Sequence, residues 1–389
     1  MNFLYYVSIA KYLAFFTILY YILGLLFISK IESKPYISKD NYRILDGILL
    51  IVAVFVIFSF CDGDNFHYIK WFYYANNGGD VLDTSVQEPI YQLLSYCLNG
   101  NYFLFRILIW GSAIFLFCLT SKRLTIPPRV SLICLYCLFI FIFSYARASL
   151  GICIYFYGFS FLIKPIRSNK LIGYIYGFIL IMSSVLFHTS MALLIVLTIP
   201  IIIFPIVKDT KLALLKILLY IFCLISLIVC VIFVVEDLIE SLDIPILSSK
   251  FSKYTDKEEE SKGIFNFIIE TCISILMILS IFYSRRSIYR CKSNNVITDK
   301  LFLFSVTLLI IGLTLSFMGP GYAIISYRIK YMSIVPITLL LAYCVNHKYL
   351  PYKKFIKLEI LGVSLILFRL IFYYYLTIKG LGVDLTQSY

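Results

Sequence analysis

Charge is what this sequence has least of. Only 14% of its 389 residues are Asp, Glu, Lys or Arg, whereas soluble domains carry roughly 25%. With 61% hydrophobic residues and a mean hydropathy of +0.92, no water-soluble fold is credible. The eleven cysteines include one Cys-x-x-Cys spacing, Cys134 and Cys137, which lies inside an apolar run, and they show no Cys/His metal spacing. Most fall in apolar runs, where cysteine behaves as a small buried hydrophobe; Cys61 and Cys97 are the one pair placed to meet on an oxidising side. Walker loops, a GxGxxG followed by an acid, HExxH and GxSxG in a useful context are all missing. No metal or cofactor site is therefore expected. There is no soluble linker, no Pro/Ser-rich hinge and no internal repeat, so residues 1–389 read as one domain rather than as an inverted-repeat transporter.

What the chain does have is long apolar runs. A membrane span needs about 20 mostly apolar residues, and runs of that kind cover 3–29, 44–60, 102–119, 130–145, 148–163, 171–187, 189–207, 212–235, 264–283, 300–318, 329–345 and 355–377. The expected fold class is all-α: a polytopic integral membrane protein of about twelve transmembrane helices, within a range of 10–13. Phe3 to Ser29 is longer than a signal-peptide core of about 7–15 residues and has no small-residue cleavage site after it, so it reads as a retained span. Pro89 to Leu98 is too short to cross and reads as a segment dipping back beside its loop.

The net charge of +13 points to membrane topology, not to nucleic acid. Loops 30–43, 120–129, 164–170, 208–216, 284–300 and 346–357 hold 22 of the 34 Lys and Arg residues, and the alternate loops with the C-terminal tail hold nine. The basic set is thereby assigned to the cytoplasm, with both termini outside. The longer loops, 61–101 and 236–263, then face outward.

The outer stretch Phe60–Asn101 is chemically unlike its surroundings. It carries Asp62, Asp64, Asp80, Asp83 and Glu88 against a single fixed cation, Lys70, and is rich in Tyr, Asn, Gln and Gly, which hydrogen-bond to and stack on sugar rings. Glu88 precedes Pro89, which restrains it to extended geometry and is suited to starting a helix. A carboxylate there serves either as a general base or as a cap for that helix. Asp62 and Asp64 share a face only if the backbone is extended. Loop 236–263 reads as a solvated loop or as a lid.

Ionisable groups at membrane depth are costly and are usually paired or functional. Asp62, Asp64, Glu88, Arg147, His188 and Arg328 come from separate parts of the chain, yet the topology puts all of them at the outer ends of spans. Arg147, in a turn with no other charge, reads as a snorkelling or capping residue or as a guanidinium that grips phosphate. His188 is either a hydrogen-bonded structural residue or a proton-transfer or pyrophosphate contact. Arg328, after the helix-breaking Gly319-Pro320-Gly321, is an interface anchor or an anion ligand. Arg106, Arg369 and Lys11 lie within spans without an assigned partner.

Taken in order, Gly63-Asp64 with Tyr68, Glu88-Pro89-Ile90-Tyr91 with Leu94, Ala146-Arg147-Ala148, and Phe187-His188-Thr189-Ser190 resemble the EpsG family of bacterial polysaccharide polymerases, part of the wider Wzy group. Tyr327-Arg328 with Tyr331 resembles the family's C-terminal arginine region. One departure is Ala148, where the family usually has Gln. The resemblance implies a GT-C-like glycosyltransferase at the outer face of the bacterial cytoplasmic membrane. It would take repeat units on undecaprenyl pyrophosphate, supplied by a flippase and accompanied by a chain-length regulator, for O-antigen, capsule or exopolysaccharide. Catalysis would fall to Glu88, Asp64, Arg147 and His188, and substrate binding to Arg328, Asp62, Tyr68, Trp71, Tyr91 and Tyr327. A ligase-like transferase or a flippase remains the alternative, whereas His67 and His347 lack the context of a membrane acyltransferase.

Overall fold

The computed structural model describes residues 89–99, 101–128, 130–132, 146–166, 168–188, 190–203, 222, 226, 264–290, 296–318 and 323–347. Spans 3–29, 44–60 and 355–377, most of 130–145 and 212–235, and loop 236–263 lie outside them. Every element among the described residues is helical. In chain order these are α1 (Pro89–Cys97), α2 (Tyr102–Arg123), α3 (Ala146–Ile163), α4 (Lys170–Phe187), α5 (Met191–Ile203), α6 (Ile264–Arg290), α7 (Val296–Met318), α8 (Ala323–Met332) and α9 (Ile334–Asn346).

Local signals account for several boundaries. α1 begins at Pro89, as its fixed φ favours. Asn99, at φ 51°, reverses the chain after α1 in a conformation asparagine tolerates. Asn101 then caps α2, its Oδ1 accepting from Leu104 N at 3.1 Å. Asn169 does the same for α4 through Ile172 N at 3.2 Å. The expected span 329–345 falls on the apolar stretch Arg328–Asn346, interrupted only at Ser333, where α8 gives way to α9 and the backbone stays helical. Pro336 explains the interruption, since its ring conflicts with the carbonyl four residues earlier, at Met332. α2, α6 and α7 extend past the apolar runs to include Lys122, Arg123, Arg285, Arg286, Asp299 and Lys300. At α2 the cations lie in the last turn, where the helix dipole favours them.

Two packed groups make up the body. α3 packs along both α4 and α2, while α7 packs along α8, α9 and α6; α5 and α9 join the groups. The α3–α4 contact depends on glycine. A Cβ on Gly158 would come within 2.7 Å of the Gly177 carbonyl oxygen, and one on Gly177 within 2.8 Å of the Gly158 oxygen. Backbones this close need small residues, the usual device for packing helices in lipid. Gly312 of α7 plays the same part against α8, where the Ser326 hydroxyl donates to the Gly312 carbonyl at 2.6 Å. Between the groups, Tyr155, Phe156 and Phe159 of α3 enclose Phe304 of α7, with centroids 5.1–5.7 Å from it. Beside them the Tyr155 hydroxyl, buried, bonds to Thr198 Oγ1 and donates to Leu194 O of α5.

Three of the described stretches are long and apolar enough to cross a membrane: Lys170–Phe187, Val296–Phe317 and Arg328–Asn346. Cys153 and Cys344 are buried, as expected of small hydrophobes; Cys97 is exposed, and Cys61, its expected neighbour, lies outside the described residues.

Candidate functional site

The two ends of the bundle use their polar residues differently. At one end basic side chains tie helix ends together. Lys164 Nζ donates to Arg123 O at 2.8 Å while the Arg123 guanidinium donates to Lys164 O and lies 3.5 Å over the Phe161 ring. Lys300 Nζ donates to Ile201 O and Ile202 O at 2.8 and 2.9 Å, closing the C-terminus of α5 with a cation. Arg285 sits 4.0 Å from Asp299 and 4.1 Å over Phe302. Asn346 reaches Thr125 O at 3.4 Å. His347 also belongs here, stacked on Tyr343 with its Nδ1 3.0 Å from Tyr343 O, which gives it a structural role. Residues of four expected basic loops, 120–129, 164–170, 284–300 and 346–357, therefore meet at this end. Loops 30–43 and 208–216 lie outside the described residues.

Helix length fixes the depth of the other end. Arg147 is seventeen residues along α3 from Lys164, His188 eighteen beyond Lys170, and Arg328 eighteen before Asn346. At ~1.5 Å per residue, each lies ~25 Å from the basic end, close to the ~30 Å of a bilayer core. Three residues far apart in sequence thus reach one depth.

The helix that begins with Arg147 meets the His188 turn at Gly151. Arg147 belongs to the first turn of α3, a turn without an acidic residue. Gly151 follows it by one helical turn on the same face. A Cβ on Gly151 would meet His188 Cβ at 3.4 Å, Ser184 O at 3.4 Å and Met191 Cγ at 3.3 Å. His188 is buried and forms the C-cap of α4 in extended geometry, its N–H donating to Ser184 O at 3.2 Å. Its carbonyl accepts from Met191 N at 2.9 Å, so His188 organises the turn between α4 and α5. Next to it the buried Ser190 hydroxyl has no hydrogen-bond partner.

The remaining candidates divide into placed and outside. Tyr91 stands in the first turns of α1, which packs on α2 and α4, and Glu88 immediately precedes that helix. Tyr327 and the half-buried Arg328 are on α8, which is held against α7 by the Gly312 contact. Asp62, Asp64, Tyr68, Trp71 and Glu88 itself lie outside the described residues. The sequence reading overlooked Gly151, although its spacing from Arg147 was visible, and counted Lys300 as a loop charge, whereas it is buried within α7.

Among the described residues, an all-helical bundle with membrane-length apolar helices defines a membrane protein. A sequence model of the EpsG family matches residues 47–386, and the chain belongs to that family. No curated protein and no solved structure matches it.

Proposed function

We propose that this protein is a polysaccharide repeat-unit polymerase. It transfers a growing glycan from undecaprenyl pyrophosphate onto a new lipid-linked repeat unit, at the outer face of the bacterial cytoplasmic membrane. The observation that carries the reading is the convergence of Arg147, His188 and Arg328 on one depth in a chain of the EpsG family. Guanidinium groups from α3 and α8, with the imidazole of the α4–α5 turn, suit a dianionic leaving group, and the start of α3 adds helix-terminal amides.

In the reaction the bond between the anomeric carbon and the pyrophosphate oxygen breaks, and that oxygen keeps the electron pair. Arg147, Arg328 and His188 stabilise the charge developing there. A new bond forms from the anomeric carbon to a hydroxyl at the non-reducing end of the acceptor unit. The hydroxyl proton passes to a carboxylate, Glu88 or Asp64. Asp62 and the aromatic groups Tyr68, Trp71, Tyr91 and Tyr327 bind the sugars. Lipid tails enter from the bilayer, so the cycle needs no nucleotide sugar, ATP or haem.

Arg147→Ala is expected to abolish polymer while the protein stays folded and inserted; polymer of wild-type length would sink the assignment. Glu88→Gln is expected to stop transfer while donor binding persists. Loss of binding instead would make Glu88 a positioning group. Both are read by gel analysis of surface glycan with quantified membrane protein.

A further inference from the structure

We infer that Gly151 is a positioning residue for this site: it sets the approach of the Arg147-bearing helix to the His188 turn. The inference rests on the polymerase reading and adds a residue to it.

The described glycines of the bundle fall into three kinds. A Cβ on Gly111 would meet nothing within 4 Å, so that position is open. Gly158, Gly173, Gly177 and Gly312 would each put a Cβ under 3.0 Å from a neighbour, which packing cannot absorb without a shift. Gly151 is between these, at 3.3–3.4 Å from three atoms. All three flank or form the turn from α4 to α5: Ser184 O in the last turn of α4, which receives the His188 N–H; the His188 Cβ; and Met191 Cγ at the start of α5. A methyl here is small enough for the fold to accommodate by a few tenths of an ångström. The part that moves is the turn holding His188, and it moves away from the helix that begins with Arg147.

Displacements of that size matter for chemistry more than for folding, because a misplacement of about 1 Å costs on the order of a hundredfold in rate. Gly151→Ala is therefore expected to lower turnover on the order of tenfold. Because neither residue is removed, ground-state binding of the donor changes little, and the effect falls on kcat rather than KM.

The test uses full-length protein in native membranes, with lipid-linked repeat units extracted from a deletion strain as substrate. Gly151→Ala and Gly151→Val are compared with Gly111→Ala, with folded protein and melting temperature measured for each. The expected result is a kcat that falls stepwise from Gly to Ala to Val. KM should stay within about twofold and Gly151→Ala should melt near wild type. Wild-type rates for both Gly151 variants, with Arg147→Ala and His188→Ala inactive, would overturn the inference and leave the polymerase reading standing. A rate that falls only in step with folded protein would also overturn it, since Gly151 would then serve packing alone. Normal polymerisation by Arg147→Ala and His188→Ala would remove the polymerase reading and this inference with it.

Discussion

α4 and α9 are both apolar helices of this bundle, but they are held in opposite ways. Only 22% of the residues across α4 are buried, against 83% across the Arg328–Asn346 stretch that contains α9. The buried residues of α4 form one narrow stripe, Gly173, Gly177, Ile181 and Ser184, while Tyr174, Ile175, Phe178 and Ile179 are exposed on the rest of its surface. In α9 every residue from Ile334 to Cys344 is buried. Hydrophobicity alone does not separate the two. The difference is residue size: glycine lets α4 approach α3 backbone to backbone along one line, whereas α9 fills space on all sides. The candidate site uses both kinds of support. His188 is carried by the peripheral helix, and Arg328 stands on α8, just before the central one.

The comparison can be broken most severely in α9. Leu340→Ala, in a fully buried position, is expected to cost about 2–5 kcal/mol, while Ile179→Ala on the exposed face of α4 should leave thermal stability in detergent nearly unchanged. Equal losses would show that the exposed face is not lipid-facing. A smaller but sharper effect is expected at the glycine stripe. Gly177→Ala presses a methyl against the Gly158 carbonyl and Phe161, which should destabilise by about 1–3 kcal/mol as overpacking and lower the yield of folded protein. The smallest effect is expected at Gly111, where Gly111→Ala enters open space. It should be neutral or stabilise by about 0.5–1 kcal/mol through helix propensity, read as an unchanged or slightly raised melting temperature.

Much of this fold was legible as runs and charges. Seven expected spans from 102–119 onward fall on described helices, and the count of basic residues anticipated which loops meet at one end, because helix alternation converts sequence order directly into sides of a bundle. What stayed hidden depends on contacts between helices. The interruption at Ser333 follows from Pro336, but only the fold shows that α8 and α9 both pack on α7. Lys300 looked like a loop cation and is instead a buried cap for α5. Of the site, the shared depth of Arg147, His188 and Arg328 was readable from span boundaries. The link from Arg147 through Gly151 to His188 was not, since it requires knowing that α3 lies against the α4–α5 turn.

The central proposal is that Arg147, His188 and Arg328 serve polymer growth on a lipid carrier. Its most direct measurement is deletion of the gene, with gel analysis of surface glycan and extraction of lipid-linked intermediates. Long polymer is expected to vanish while single repeat units accumulate on the lipid carrier at the outer face, and wild-type protein but not Arg147→Ala should restore it. Units trapped on the cytoplasmic face, or polymer of normal length left on the carrier, would contradict the account and point to a flippase or a ligase.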